Sequence, residues 1–173
     1  NDADAHEYLR KVRSFGGDVW GTNFKMTNVQ AAVGLVQLER IDTMLEQRRK
    51  VAAERDELLA GLEPLELPSV PEDRWHTFYL YTCLVPEEWA GEKRDRILAL
   101  MKDEFGIPCV VANPPVYYSS PFLDQNTDHS DLPRSEMLGK RLFCVPTHPL
   151  ISTSDNEYIC AALWEAVERV KAE

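Results

Sequence analysis

The sequence has few basic residues and no long apolar run. Its 173 residues include 19 Lys and Arg against 29 Asp and Glu, which gives a formal net charge of −10 at pH 7. Nucleic-acid binding depends on clustered Lys and Arg, so this charge argues against a nucleic-acid partner. No apolar stretch reaches the roughly 18 residues that a membrane-spanning helix requires, and no signal peptide is visible. We therefore expect a cytoplasmic protein that contacts no membrane.

Cysteine motifs and the common signatures of a self-contained active site are also missing. The 4 cysteines are widely spaced, with no C-x-x-C pair, so neither a disulfide framework nor a zinc site is predicted. Reduced and mostly buried thiols fit this spacing better. The sequence contains no G-x-S-x-G, no H-E-x-x-H and no P-loop. We therefore predict no catalytic residue and no metal site within the chain.

The sequence does contain a pattern of helices and strands that is typical of a small α+β protein. Helical spacing of apolar residues predicts helices at 3–14, 28–61, 92–105, 134–141 and 155–171. Runs of aromatic and β-branched residues predict strands at 76–85, 107–111 and 142–145. We expect a three-stranded, mainly antiparallel sheet with helices on one face, preceded by a long helical arm. The segment 112–133 is predicted to be a long loop, which in a compact domain is usually functional or disordered.

The stretch 21–34, GTNFKMTNVQAAVG, organises the chain. Thr27 and Gln30 have the spacing of a capping box, which predicts that the long helix begins just after Thr27. Asn23 and Lys25 come directly before this start, where free N–H groups, the helix dipole and a cation favour an anion. An ordinary turn, with Asn23 chosen for its backbone tolerance, explains the same residues. The sequence leaves both interpretations open.

The predicted helix 28–61 is longer than a small domain needs. At about 1.5 Å per residue it extends roughly 50 Å, so we expect it to join two bodies or two subunits. Its first turns contain Ala31, Ala32 and Gly34, whose small size allows another backbone to come close. The apolar face between Val29 and Leu45 has too few partners in a small body. We therefore expect an interface there.

Two other places could contact a ligand. His76 opens the first predicted strand, where the sequence fits a structural histidine and, less well, a ligand-binding one. Tyr117 and Tyr118 lie in the Pro-rich part of the segment 112–133. They either close over a ligand or pack the loop onto the core.

The stretch 21–34 resembles the signature G-x-N-[YF]-[RK]-M-[ST]-x-[LIV]-Q-A-A-[IV]-G of the DegT/DnrJ/EryC1/StrS aminotransferases. Further landmarks follow in the family's order, at 48–49 (RR), 79–81 (YLY), 105–108 (FGIP), 132–136 (LPRSE) and 145–149 (VPTHP). The resemblance implies a fold type I enzyme that depends on pyridoxal phosphate and acts on sugars. There is one departure. Where many members have Y-x-P-L-H, residues 113–117 are NPPVY, which suggests that Tyr117 stands in place of the family's substrate-side histidine.

The resemblance covers only the C-terminal part of the family. It implies three parts: the end of the large-domain region at 1–26, a linking helix at 27–62 and a small C-terminal α+β domain at 63–173. The Schiff-base lysine would lie before Asn1, and none of the seven lysines present would replace it. We therefore expect this fragment alone not to be catalytic.

For the parent enzyme, the resemblance implies amino transfer from an amino-acid donor to a keto-sugar, which is a nucleotide-sugar or a related cyclic ketone. It also implies a homodimer in which Asn23 binds the phosphate of the partner's pyridoxal phosphate. We predict that Lys25, His76 and Tyr117 contact the substrate. The alternatives are a non-catalytic assembly protein and a cofactor-independent ligand-binding module built from the segment 112–133.

Overall fold

The computed structural model describes residues 2–126, 128 and 132–173. Their helices and strands are, in chain order, α1 (Ala3–Arg13), α2 (Asn28–Leu58), β1 (Tyr81–Leu84), α3 (Glu92–Asp103), α4 (Pro121–Asn126), α5 (Pro133–Arg141), β2 (Leu142–Val145) and α6 (Thr153–Ala172). Short 3-10 turns lie at Glu87–Trp89 and Val116–Tyr118. The predicted α+β class is confirmed, and every predicted helix is present. No helix in the described ranges has the length and apolar character needed to cross a bilayer.

The chain forms two compact units that divide between Asp42 and Thr43, within α2. The N-terminal unit is the part up to Asp42, with α1, a loop and the first turns of α2. The C-terminal unit is the part from Thr43 onward. The predicted borders near 26 and 62 concern the domains of a complete enzyme and stay a prediction.

The core lies in the C-terminal unit. Helices α3 and α6 pack against each other, and the end of α2 and both strands add side chains to the same cluster. The fully buried members of this cluster are Ala52, Leu59, Tyr81, Cys83, Val85, Ile97, Met101, Phe143, Leu163, Ala166, Val167 and Val170. The cysteines are free, and Cys83, Cys144 and Cys160 are buried, as the sequence predicted. Removal of this apolar surface from water is the main stabilising term of the unit.

The sheet has two strands rather than the predicted three. β1 and β2 are antiparallel, with Tyr81 opposite Val145 and Leu84 opposite Leu142. The predicted strand 107–111 makes a single antiparallel bridge, in which Val110 and Cys144 exchange N–H···O bonds of 3.1 and 2.8 Å. Pro108 has no N–H to donate to a ladder, which explains why pairing stops at one residue. The prediction of a three-stranded sheet was therefore wrong in the number of strands.

The first strand is also shorter than the predicted 76–85. Before β1, Phe78 has a positive φ of 46°, which interrupts the extended backbone. The His76 imidazole stabilises this turn, because its Nδ1 accepts from the Phe78 N–H at 3.1 Å. The prediction from strand propensity missed this local bond, which competes with sheet pairing.

A buried arginine ties three elements of the C-terminal unit together. Arg55, on α2, is 0% exposed. It donates from Nε to Asn156 Oδ1 at 3.0 Å, from Nη1 to Thr147 Oγ1 at 3.1 Å and from Nη2 to the Pro146 carbonyl at 3.0 Å. Burial lowers the pKa of Arg55 from its ordinary value. These bonds fix α2 against the start of α6 and against the turn that follows β2.

The predicted loop 112–133 contains regular structure in its described part. The 3-10 turn Val116–Tyr118 is followed directly by α4. The Ser120 carbonyl accepts from the Asp124 N–H at 2.9 Å and Ser120 Oγ accepts from the Leu123 N–H at 3.4 Å. Ser120 thus begins the helix, with Pro121 at its first position. The prediction of a long loop was therefore wrong between residues 116 and 126.

Candidate functional site

The segment between α1 and α2 folds back onto the end of α1. Thr22 donates from both its N–H and its Oγ1 to the Val12 carbonyl, at 2.8 and 2.9 Å. A Cβ on Gly21 would lie 2.2 Å from the Gly16 nitrogen, so only glycine fits where the two backbones meet. These contacts fix the shape of residues 14–27, the N-terminal loop.

Asn23 is held by its backbone and exposed at its side chain. Its φ is 53°, in the left-handed region that asparagine adopts more readily than most residues. Its N–H donates to the Ser14 carbonyl at 2.9 Å, and its carbonyl accepts from the Lys25 N–H at 2.8 Å. The side chain is exposed. The amide group is therefore presented by a fixed backbone and can donate to a ligand.

The start of α2 has the predicted capping box. The Gln30 N–H donates to Thr27 Oγ1 at 3.3 Å, and the Thr27 N–H donates to Gln30 Oε1 at 2.8 Å. The N–H groups of Asn28 and Val29, at the positive end of the helix dipole, have no intrahelical acceptor. Together with the exposed amide of Asn23, they offer the neutral donors that bind a phosphate at a helix start.

Lys25 and a nearby cavity differ in their suitability for an anion. The Lys25 side chain is exposed, with Nζ 5.0 Å from the centroid of the Phe15 ring. Phe15 also lines a cavity of about 480 Å³, whose lining includes Asp18. Lys11 Nζ donates to Asp18 at 3.0 Å, and this bond lowers the pKa of that carboxyl. An ionised carboxylate repels an anion, so the start of α2 suits a phosphate better than this cavity does.

His76 has a structural role and one nitrogen that remains for other contacts. Besides the bond to the Phe78 N–H, its ring meets the Phe78 ring edge-on, with the centroids 4.6 Å apart. Because Nδ1 accepts a hydrogen bond, the neutral ring carries its proton on Nε2. The exposed imidazole lines a cavity of about 250 Å³. A ligand in that cavity would meet an N–H donor.

Arg48 and Arg49, next to this cavity, each lie against an aromatic ring. The Arg49 guanidinium lies 3.3 Å from the centroid of the Trp75 ring, and that of Arg48 lies 5.8 Å from the centroid of Tyr79. Arg49 Nε also donates to the His76 carbonyl at 3.1 Å. These contacts fasten the segment before β1 to α2. The sequence identified the pair as a family landmark without predicting its partners.

Tyr117 lies in the 3-10 turn Val116–Tyr118 and is 5% exposed. It lines a cavity of about 390 Å³. Its hydroxyl donates to Glu136 Oε1 at 2.5 Å, and the Tyr118 hydroxyl donates to Oε2 of the same carboxylate. The Tyr117 side chain is thus placed at a cavity wall, with its hydroxyl oriented by Glu136.

The predicted site residues fall into separate groups. Asn23 and Lys25 share the N-terminal loop. His76 and Tyr117 belong to the C-terminal unit, where the linings of their two cavities have no residue in common. Sequence reasoning missed Glu136. The LPRSE landmark at 132–136 located this residue, but nothing in the sequence indicated that it accepts from two tyrosines.

Comparison with known proteins identifies a family. Residues 3–164 match the model of the DegT/DnrJ/EryC1/StrS aminotransferase family. The GDP-perosamine synthase of Caulobacter vibrioides is 32% identical over 172 residues, which cover 94% of this chain and 45% of that protein. The dTDP-3-amino-3,4,6-trideoxy-alpha-D-glucose transaminase of Micromonospora megalomicea is 28% identical over 178 residues, which cover 96% of this chain and 46% of that protein.

Comparison with solved structures finds aminotransferases as well. The crystal structure of DesV from S. venezuelae superposes with a TM-score of 0.82 at 27% identity, and the match covers 97% of this chain and 45% of DesV. The chain therefore spans less than half the length of the relatives that it matches.

Proposed function

Because the chain belongs to the DegT/DnrJ/EryC1/StrS aminotransferase family, we propose that it is the C-terminal part of a pyridoxal-phosphate-dependent enzyme. The complete enzyme transfers an amino group from an amino-acid donor to a keto-sugar, which is a nucleotide-sugar or a related cyclic ketone. The names of the two relatives, a GDP-perosamine synthase and a dTDP-amino-sugar transaminase, support this substrate class.

The observation that carries the proposal is the geometry of the N-terminal loop. The exposed Asn23 amide and the N–H groups at the start of α2 are uncharged donors, which fit the phosphate of pyridoxal phosphate. When bound, the cofactor supplies the electron sink for the reaction. This chain holds the phosphate through Asn23. Lys25 offers a cation to an anionic group of the substrate, His76 offers its Nε2–H, and Tyr117 contacts the sugar.

The first turns of α2 support a homodimer in which Asn23 serves the partner's cofactor. A Cβ on Gly34 would meet nothing within 4 Å, so the packing of this chain does not require glycine there. Val29, Val33 and Leu35 on the same turns are 75%, 59% and 62% exposed. A thin, apolar helix surface of this kind suits close approach by a second subunit.

The chain alone does not catalyse amino transfer under this proposal, because the lysine that binds the cofactor covalently belongs to the preceding part of the enzyme. The purified chain is incubated with pyridoxal phosphate and reduced with borohydride, and its lysines are examined by mass spectrometry. We expect scattered, substoichiometric labelling. Stoichiometric labelling of a single lysine would contradict the proposal.

The role of Asn23 is tested by cofactor dissociation from the complete enzyme. Asn23→Ala removes a neutral-to-charged hydrogen bond, which contributes about 1.5–3 kcal/mol, so cofactor affinity should fall about ten- to hundredfold. Asn23→Asp should weaken binding further, because it sets a carboxylate against a phosphate. Lys25→Ala should have a smaller effect on the cofactor.

A matched control is Asn126→Ala, which removes an amide that donates to the Phe122 carbonyl at 2.8 Å within α4. This variant should hold the cofactor as the wild type does. If both Asn23 variants also do so, Asn23 is only a turn residue. A non-catalytic assembly or ligand-binding module related to the family would then explain the chain better.

A further inference from the structure

One carboxylate in the C-terminal unit accepts from two neighbouring tyrosines. Glu136, in the first turn of α5, takes the Tyr117 hydroxyl on one oxygen at 2.5 Å and the Tyr118 hydroxyl on the other. The two rings meet edge-on, with centroids 5.3 Å apart and planes at 86°. Adjacent residues of an extended chain point to opposite sides. The 3-10 turn Val116–Tyr118 is what brings both hydroxyls to the same carboxylate.

The same turn is pinned to α5 at a second point. A Cβ on Gly139 would lie 2.6 Å from Pro115 Cδ, so the ring of Pro115 packs directly on the backbone of α5. Gly139 is buried. The segment 115–118 is therefore fixed to α5 by packing at Pro115 and by hydrogen bonds at Glu136.

The hydrogen bonds to Glu136 also disfavour ionisation of the two tyrosines. The bond to Glu136 raises the pKa of Tyr117 to about 12 and raises that of Tyr118 as well. A tyrosine hydroxyl keeps its proton at neutral pH even at its ordinary pKa, so both hydroxyls donate to the carboxylate, and the raised pKa values extend this to higher pH. Bonds to an ionised acceptor are stronger than those between neutral groups.

The fixed segment forms a wall of the cavity of about 390 Å³. Apart from Asn113, the other lining residues that the structure describes are apolar or small, among them Pro114, Val116, Leu132, Leu138 and Leu142. None of the described lining residues is charged. An amino-acid donor carries a carboxylate and an ammonium group, which such a lining cannot pair. A neutral sugar ring, with its C–H faces, suits it better.

We propose that Glu136 and Tyr118 are positioning residues, which hold Tyr117 and the adjoining wall in place for the sugar part of the substrate. This role rests on the proposed aminotransferase function. It assigns to the cavity the keto-sugar rather than the amino donor. Neither residue needs to touch the substrate, because each acts through the position of Tyr117.

The test compares Michaelis constants of the complete enzyme for its two substrates. Glu136→Gln leaves one acceptor oxygen for two hydroxyls, so the KM for the keto-sugar should rise about tenfold. Tyr118→Phe should raise it less, about threefold, because Tyr118 is 52% exposed. In both variants the KM for the amino donor and kcat should stay near their wild-type values. Thermal unfolding checks that each variant is folded.

Matched controls are Tyr158→Phe and Glu168→Gln. The first removes a hydroxyl that donates to the Phe105 carbonyl at 3.0 Å, and the second removes a carboxylate paired with Lys171 at 3.3 Å. Neither should change either KM. The assignment is overturned if Glu136→Gln and Tyr118→Phe keep the wild-type KM for the sugar, or if both Michaelis constants rise equally. A folded wild-type enzyme that aminates no keto-sugar contradicts the proposed function itself, and the positioning role with it.

Discussion

The two units bury their side chains very differently. Among the described residues of the N-terminal unit none is buried, and Trp20, Phe24 and Leu35 are 96%, 79% and 62% exposed. In the C-terminal unit one buried cluster extends from Ala52 to Val170. The C-terminal unit thus contains its own stabilising core. The N-terminal unit instead exposes its large apolar side chains, which fits the proposed contact with a second subunit.

Two glycines of the N-terminal unit, Gly21 and Gly34, differ in whether the chain itself leaves room for a side chain. At Gly21 a side chain would collide with backbone atoms of the same loop. At Gly34, in a helix interior, a side chain would meet nothing within 4 Å, although glycine there costs about 1 kcal/mol relative to alanine. The chain's own packing explains Gly21 but not Gly34, and the open space at Gly34 fits the proposed approach of a second subunit.

The largest effect is expected from the buried arginine of the C-terminal unit. Arg55→Ala should lower the free energy of unfolding by about 3–5 kcal/mol, because one buried and two partly buried acceptors lose their donor. Denaturant unfolding measures the change. Arg40→Ala is the matched control, since Arg40 lies on the same helix but is exposed and belongs to the N-terminal unit. It should change stability by less than about 0.5 kcal/mol. Equal losses in both variants would remove the contrast between the units.

An intermediate effect is expected on self-association of the purified chain. The exposed apolar surface of α2 should make the chain associate. Leu35→Ala should weaken association about tenfold, because alanine buries much less apolar area in the interface than leucine does. Analytical ultracentrifugation over a range of concentrations measures this. Leu150→Ala, in the C-terminal unit, removes a leucine that is 76% exposed and should not alter association. A wild-type chain that stays monomeric at all concentrations would contradict the interface.

The smallest effect concerns the start of α6. Ser152 Oγ accepts from the Asp155 N–H at 3.1 Å, and Asp155 Oδ2 accepts from the Ser152 N–H at 3.3 Å. Ser152→Ala should therefore lower the free energy of unfolding by about 1 kcal/mol. Ser154→Ala, at a position within the first turn, should cost much less. The reverse order in thermal unfolding would place the helix start two residues later.

The start of α6 also shows where sequence reasoning reaches its limit. The spacing of a capping box occurs twice here, at Ser152 with Asp155 and at Ser154 with Glu157. The predicted helix 155–171 begins after Ser154, whereas the structure uses the box of Ser152 and Asp155. Asn156 explains the choice. It is 0% exposed, and its Nδ2 donates to the Val51 carbonyl at 3.0 Å. A contact with a residue far away in the sequence thus selects between two equivalent local signals.

Long periodic helices and the helix start at Thr27 were predictable because their determinants are local. The strand 107–111 was mispredicted, although Pro108 was a visible warning in the sequence. The helix α4 was also predictable in principle, from Ser120 followed by Pro121. The burial of Arg55 was not predictable, because no local pattern separates it from the charged residues that precede it on α2.

The candidate site was predictable to different degrees in the two units. In the N-terminal loop, the residue types and their spacing before a helix start indicated an anion site, and the structure presents Asn23 there as an exposed side chain. In the C-terminal unit, the Pro-rich segment indicated Tyr117 and Tyr118 as possible ligand contacts, and the resemblance favoured Tyr117. Its partner Glu136 is brought close by the 3-10 turn and the packing of Pro115, which no local motif encodes.

The most direct test of the account is complementation between two inactive subunits of the complete enzyme. One subunit carries a variant of the cofactor-binding lysine in the part that precedes this chain, and the other carries Asn23→Asp. If Asn23 binds the cofactor phosphate of the partner, a mixed dimer contains one intact site, and mixing should restore cofactor binding and up to about half of the wild-type activity per dimer. If mixed dimers form but remain without bound cofactor and without activity, Asn23 does not act across the interface, and the central claim is contradicted.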